Sequence, residues 1–262
     1  MPPPAVDADT DPWNLIWVMP AEEDDFDFNR RPAGRGVLLC EVTTMRAIIF
    51  ANGELPNPQS VKDLLHHGDS DDVAIIAADG GTHHALAAGV TPDIVIGDLD
   101  SLSPEAQARV EAAGAQIVRF SPRKDETDLE LALLYAARGG ATEITILGAL
   151  GGRLDQTLAN VLLLALPELR GIDARIVEGA QEAFLIQGEA TIDGAPGDTV
   201  SLIPLGGNAE GVTTGGLEWP LSEDTLCFGP ARGVSNVLTA KQARVRLRQG
   251  ILLCVVMHES SK

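Results

Sequence analysis

The stretch Pro92-Asp93-Ile94-Val95-Ile96-Gly97-Asp98-Leu99-Asp100-Ser101 carries an apolar run, Ile94 to Ile96, between a proline and a glycine. That is the pattern of a buried strand. Two aspartates, Asp98 and Asp100, follow its C-terminal end, and in open α/β sheets ligands bind at that end. On an extended chain Leu99 would leave both carboxylates on one side. Carboxylates so placed repel unless a cation lies between them, and a hard, oxygen-seeking ion such as Mg²⁺ fits best. A turn aspartate at 98 and a helix cap at Asp100 or Ser101 would use the same residue types, so the pair alone does not decide the chemistry.

On both sides of this stretch, from Met45 to about Gly179, apolar strands alternate with helical periodicity. The strands are expected over 47–51, 73–78, 93–96, 116–120, 143–147 and 175–177, and the helices over 60–66, 82–88, 104–113, 127–138 and 154–166. Repeated units of this length predict an α/β fold with a largely parallel sheet covered on both faces. After Gly179 the helical pattern stops. Short strands are expected over 183–187, 198–204, 211–214, 225–228, 243–248 and 251–257, under dense glycine and proline turn signals, which predicts an all-β sandwich. The expected division is an α/β nucleotide-binding catalytic domain over 45–179 and a sandwich over 180–262. Residues 1–44, with Pro2-Pro3-Pro4 and the acidic run Glu22-Glu23-Asp24-Asp25, read as a disordered extension with no core of its own. Met45, followed at once by a strand, is a candidate start codon.

The 262 residues are 45% hydrophobic and 22% charged, with 27 glycines, a globular composition rich in tight loops. A net charge of −19 argues against a nucleic-acid backbone or an anionic membrane as partner. Phosphates must then be recruited locally, by a metal and a few basic side chains. Cys40, Cys227 and Cys254 are odd in number and lack metal or disulfide spacing, which points to the reducing cytoplasm. No apolar run approaches the roughly 18 residues of a membrane span, and no signal-peptide pattern is present.

Four further segments follow expected strands. Phe50-Ala51-Asn52-Gly53 runs from strand into turn. In Ala77-Ala78-Asp79-Gly80-Gly81-Thr82 the glycines allow backbone to approach a ligand, and the next helix would offer free N–H groups to an anion. Arg123-Lys124-Asp125-Glu126-Thr127-Asp128 opens a helix: Lys124 would grip a phosphate, Asp128 lies in the first turn, and Thr127 or Asp125 would serve as cap. Gly148-Ala149-Leu150-Gly151-Gly152-Arg153-Leu154-Asp155-Gln156 is a phosphate-style loop whose Arg153 would stabilise charge on a transferring phosphoryl group. The Walker signature is absent. His83 and His84 read as ordinary helix residues.

Together, Ala78-Asp79-Gly80-Gly81, Gly97-Asp98-Leu99-Asp100-Ser101, Lys124-Asp125-Glu126-Thr127-Asp128 and Gly151-Gly152-Arg153-Leu154-Asp155-Gln156 resemble the thiamine pyrophosphokinase (thiamine diphosphokinase) family in wording, order and spacing. In the sandwich, Gly216-Leu217-Glu218-Trp219-Pro220-Leu221 and Gly233-Val234-Ser235-Asn236 resemble that family's thiamine-binding segments. The resemblance runs from Met45 to about Met257. It implies transfer of pyrophosphate from ATP to thiamine with Mg²⁺, giving thiamine diphosphate and AMP. It also implies a homodimer whose thiamine sites lie between subunits. Position 156, often His in the family, is Gln here, so a proton-transfer role is not carried over to it.

On this reading Asp98, Asp100 and Asp128 hold the metal. Asn52, Gly53, Gly80, Gly81, Lys124, Thr127, Gly151, Gly152 and Arg153 line the ATP and phosphate site. Asp79 binds the cation or orients the hydroxyl, and Asp155 orients Arg153 or assists the cation, which places both with Asp100, Asp128 and Arg153 among the catalytic residues. Gln156, Trp219, Ser235 and Asn236 contact thiamine, Trp219 by offering a flat face to a cationic ring. Two other readings stay open: a Mg²⁺-dependent phosphoryl or pyrophosphoryl transferase for another small alcohol, and a protein that binds thiamine or nucleotide without turnover. Asp100→Asn is expected to abolish transfer and leave the fold intact, since a metal ligand contributes to catalysis rather than to packing. Near wild-type turnover at saturating Mg²⁺ would remove Asp100 from the metal set.

Overall fold

The computed structural model describes residues 45–57, 61, 64 and 73–259. Residues 1–44 and most of the helix expected over 60–66 lie outside the described residues; Val61 and Leu64, within that helix, are helical.

Six strands, β1 (Arg46–Phe50), β2 (Val73–Ala78), β3 (Ile94–Gly97), β4 (Gln116–Arg119), β5 (Glu143–Leu147) and β6 (Asp173–Glu178), run parallel in the order β4-β3-β2-β1-β5-β6. Their apolar runs are buried, as a strand covered on both faces requires. Helices α1 (Gly81–Ala87), α2 (Pro104–Ala112), α3 (Asp128–Arg138) and α4 (Leu154–Leu163) connect or flank them. Leu129, Ala132, Leu133 and Ala136 form one face of α3 and join Ile49, Ile76, Ile96 and Ile146 in the main core. The periodicity predicted a longer α4. Its last residues instead tighten into a turn and a 3₁₀ helix at Pro167–Leu169, because the residue before proline, Leu166, is extended (ψ 133°).

The sheet does not end at Gly179. Gly179, at φ 59°, turns β6 into β7 (Gln181–Ile186), and the pairing becomes antiparallel. β9 (Thr199–Pro204), β12 (Asn236–Val237) and β14 (Leu252–Met257) extend the same sheet to ten strands, ordered β12-β9-β14-β7-β6-β5-β1-β2-β3-β4. A second, four-stranded sheet, β11-β10-β13-β8, comprises β8 (Glu189–Asp193), β10 (Ala209–Gly215), β11 (Asp224–Leu226) and β13 (Gln242–Arg246). It packs on one face of the antiparallel half. Phe184, Val200, Leu202 and Leu252 from the long sheet meet Ile192, Val212, Ala243 and Val245 from the short one, giving the expected sandwich. The two-residue alternation of β9 and β13 was its legible sign. β8, with only Ile192 fully buried, and the two-residue β12 carry too little apolar pattern to be read.

Helix α1 seats directly on β1. A Cβ added to Gly81 would lie 2.0 Å from the Phe50 carbonyl oxygen. Gly81→Ala is therefore expected to destabilise the chain by about 1–3 kcal/mol. Gly207→Ala, where a Cβ meets nothing within 4 Å, stays within about 0.5 kcal/mol. Urea unfolding of the two variants checks the contrast.

Candidate active site

Three carboxylates converge at the C-terminal ends of the parallel strands. Asp79 follows β2, Asp98 follows β3, and Asp128 is the first residue of α3. One oxygen from each lies within 4.8 Å of the others. Gly97 makes the convergence possible: a Cβ there would fall 2.9 Å from Asp79 Cβ and 3.1 Å from Asp128 Cγ. Thr127 caps α3, its Oγ1 accepting from Glu130 N–H at 3.2 Å, which fixes Asp128 in the first turn. As a cap the Thr127 hydroxyl accepts a hydrogen bond and keeps its own O–H as a donor. Asp79 is 3% exposed and its Oδ1 has no hydrogen-bond partner. A buried, unpartnered carboxylate oxygen beside two more carboxylates is a donor set for a hard divalent cation.

The pair Asp98 and Asp100 does not lie on extended chain. Leu99 is left-handed (φ 66°) and buried, and the resulting turn lets Asp98 Oδ1 accept from Asp100 N–H at 3.1 Å. Asp98 joins the group. Asp100 stands outside it, exposed, with Oδ1 accepting from Ser101 Oγ. The place expected for Asp100 in the group is taken by Asp79.

Lys124 Nζ lies 2.5 Å from Asp128 Oδ1 and 5.6 Å from the centre of the Phe120 ring. Burial pushes the Asp128 carboxyl above its ordinary range. The Lys124 ammonium opposes that shift, and the Asp79 and Asp98 charges add to it.

Around the acids the loops are tied together. Gly53 N–H donates to Gly148 O at 2.7 Å, and Gly53 O accepts from His84 Nε2 at 2.8 Å. Asn52 covers Gly80, where any Cβ would clash with its side chain. His83 Nε2 donates to Ser101 O at 3.2 Å, so the two histidines read as ordinary helix residues hold the loops after β1 and β3. Nothing in a single sequence marks them, since their partners are backbone carbonyls. The expected free N–H groups at the start of α1 are partly taken: Thr82 donates to Asp79 O and His83 to Gly80 O. Gly151 (φ 86°) and Gly152 (φ 66°) form the predicted loop, backed by Glu54 and by Asn160 Nδ2 donating to Ala149 O at 2.7 Å. Arg153 and Asp155 bond each other in the open, and the guanidinium holds Asp155 below the usual carboxylate range. Gln156 beside them is exposed.

In the sandwich Trp219 is 57% exposed. Asn236 spends its amide on that tryptophan's backbone: Oδ1 accepts from Trp219 N–H at 3.1 Å and Nδ2 donates to Trp219 O at 2.8 Å. It positions Trp219, a role its sequence context did not reveal. Ser235 is left-handed (φ 61°), its N–H donating to Ser201 Oγ.

Family models described as "Thiamin pyrophosphokinase, catalytic domain" and "Thiamin pyrophosphokinase, vitamin B1 binding domain" match residues 67–176 and 189–252. The thiamine pyrophosphokinase of Bacillus subtilis (strain 168) is 30% identical over 182 residues, 69% of this chain and 85% of that protein. The chain belongs to the thiamine pyrophosphokinase family. A crystal structure of the B. subtilis thiamine pyrophosphokinase superposes with a TM-score of 0.72 at 26% identity, covering 82% of this chain and all of that one. That of the Candida albicans thiamin pyrophosphokinase, at 17% identity, shares the fold with a TM-score of 0.70 over 82% of this chain and 90% of that one. No helix among the described residues is long and apolar enough to cross a membrane.

Above its ordinary value, the Asp128 carboxyl costs stability in its charged form. The cost is absent well below its ordinary value of 3.8, sets in as pH rises through that value and persists at neutral pH. Asp128→Asn keeps the shape and an acceptor for Lys124. It is expected to raise the melting temperature of the metal-free protein at pH 7, with the gain shrinking as pH falls toward 4. Thermal melts across pH measure it.

Proposed function

We propose that this chain transfers pyrophosphate from ATP to the hydroxyl of thiamine, releasing AMP, with Mg²⁺ held by Asp79, Asp98 and Asp128. The buried, unpartnered Asp79 oxygen within the three-carboxylate group carries the reading. Asp100, on the same loop, is assigned the solvent-facing side of the cation. Bound there, Mg²⁺ would neutralise phosphoryl oxygens of the triphosphate. The hydroxyl oxygen attacks the β-phosphorus and gives up its proton to solvent, while the bond from that phosphorus to the α-phosphate's bridging oxygen breaks and AMP leaves. Such transfers depend chiefly on positioning and charge stabilisation. Lys124 supplies one positive charge to the phosphates. Arg153, oriented by Asp155, supplies another, and Asn52, Gly53, Gly80, Gly81, Gly151 and Gly152 form the floor. Trp219, held by Asn236, offers its face to the thiazolium or pyrimidine, and Ser235 and Gln156 supply polar contacts. Residues 45–179 serve the nucleotide and 180–262 serve thiamine, in the cytoplasm.

The order of the sheet supports a site built from two copies of the chain. Asn236 lies on β12 and Asp79 follows β2, seven strand spacings apart, about 34 Å along the sheet at ~4.8 Å each. Thiamine held at Trp219 would then lie far from phosphates held at Asp79 of the same copy, which supports a site shared between two. A homodimer that sets the acids of one subunit against the tryptophan of the other removes the difficulty. Leu154, Leu158 and Leu162, 73%, 56% and 55% exposed along one stripe of α4, offer an apolar contact for it.

Incubation with ATP, Mg²⁺ and thiamine is expected to give AMP and thiamine diphosphate in equal amounts; ADP with thiamine monophosphate would refute the transferred group. Asp98→Asn and Trp219→Ala are each expected to lose activity by at least about 100-fold. Mixed after dissociation and reassociation, they are expected to recover about a quarter of wild-type sites, because half the dimers are mixed and each has one intact site. No recovery would place both functions in one subunit.

A further inference from the structure

We propose that Lys124 is the resident counter-ion of the acid group. It holds the cation's place on Asp128 in the nucleotide-free chain and yields it when a triphosphate takes its ammonium. The inference rests on the assignment of the acid group to a metal and deepens it, making cation loading depend on the nucleotide.

The geometry has three parts. Lys124 Nζ is 2.5 Å from Asp128 Oδ1, and Asp128 is a member of the three-carboxylate group. The lysine side chain is only 14% exposed and lies over the Phe120 ring, so its ammonium sits at the group rather than sampling solvent. Residues 120–127 form an irregular segment between β4 and α3, anchored where Phe120 N–H donates to Gly97 O at 2.9 Å. A loop lysine there has only side-chain torsions to change in leaving Asp128.

Charge then sets the order of events. Three carboxylates carry −3, and Lys124 reduces this to −2. A bare divalent cation entering the occupied group meets a positive charge at close range and an Asp128 oxygen already in use. A triphosphate removes both obstacles, because its oxygens compete for the ammonium as strong acceptors. With its lysine drawn to phosphate, the group regains its full charge and the freed Asp128 oxygen. The phosphates and the cation therefore enter together, and the empty site resists holding a metal it cannot use.

Titration with Mn²⁺ alone, followed by the paramagnetic resonance of free Mn²⁺, tests this without turnover. Lys124→Met is expected to bind bare Mn²⁺ about tenfold or more tightly than wild type, while its KM for ATP rises. Lys124→Arg, which keeps the charge, is expected to bind bare Mn²⁺ as wild type does. If Met at 124 unfolds the chain, Lys124→Gln is read in the same way. Bare Mn²⁺ affinity in Lys124→Met equal to or weaker than wild type overturns the proposal. Adding Asp98→Asn separates the two failures. Gained binding that survives Asp98→Asn places the cation outside the acid group, and the metal assignment falls with the proposal. Unchanged affinity in Lys124→Met together with loss in Asp98→Asn overturns the role of Lys124 alone.

Discussion

Mutual repulsion among Asp79, Asp98 and Asp128 is the constraint to which the rest of the site responds. Like charges within 4.8 Å persist only where something compensates them. Parallel strands bring two of the acids to one sheet edge, and the Thr127 cap brings the third on the first turn of α3, where the helix dipole favours an anion. Gly97 removes the side chain that would wedge them apart. Lys124 supplies the local countercharge. The same repulsion makes the empty site costly, and on the proposed reading a divalent ion bound there would relieve it.

The unbroken ten-stranded sheet has the opposite effect, of separation. Its hydrogen bonds join the parallel and antiparallel halves in one sheet, and its order puts the acids near one edge and Asn236 with Trp219 at the other. On the proposed reading, chemistry that needs both regions would draw them from two copies of the chain. The leucine stripe of α4 begins at Leu154, beside Arg153 in the glycine-rich loop, so a subunit contact there would be built next to a phosphate-binding segment.

Periodicity revealed most of the architecture because burial is what periodicity reports. The runs 73–78 and 143–147 were legible to the residue, and β13 was found within two residues of its expected span 243–248, since each strand buries one or both faces. The continuity of the sheet across Gly179 was not legible: β7 looks the same whether it pairs with β6 or with a separate sheet. In the site, the segments were legible from their glycines and charges, but the membership of the acid group was not. Asp79 and Asp98 are 19 residues apart in sequence, and the pairing of β2 with β3 makes them neighbours, while Asp128 arrives on the first turn of α3. The roles of Asn236, His83 and His84 were illegible because each acts on backbone atoms, which every residue possesses.

Leu99 shows how packing decides chemistry at this site. An extended Asp-Leu-Asp would present both acids together and expose or bury the leucine according to the strand's pleat. Instead Leu99 packs with Val95, Leu102, Ala106 and Val110 beneath α2. Burying that side chain beyond the strand end requires a left-handed residue, a conformation costing about 1 kcal/mol or more outside glycine. The turn draws Asp98 inward over Gly97 and swings Asp100 to the rim. Asp79 (φ 44°) and Ser235 (φ 61°) hold the same rare conformation, so three of the four such non-glycine residues among the described residues lie in candidate site segments. Each is held by its surroundings: Asp79 N–H by Ile96 O, Ser235 N–H by Ser201 Oγ, and Leu99 by its apolar neighbours. The apolar contacts of one leucine thus determine which of the two aspartates flanking it joins the acid group.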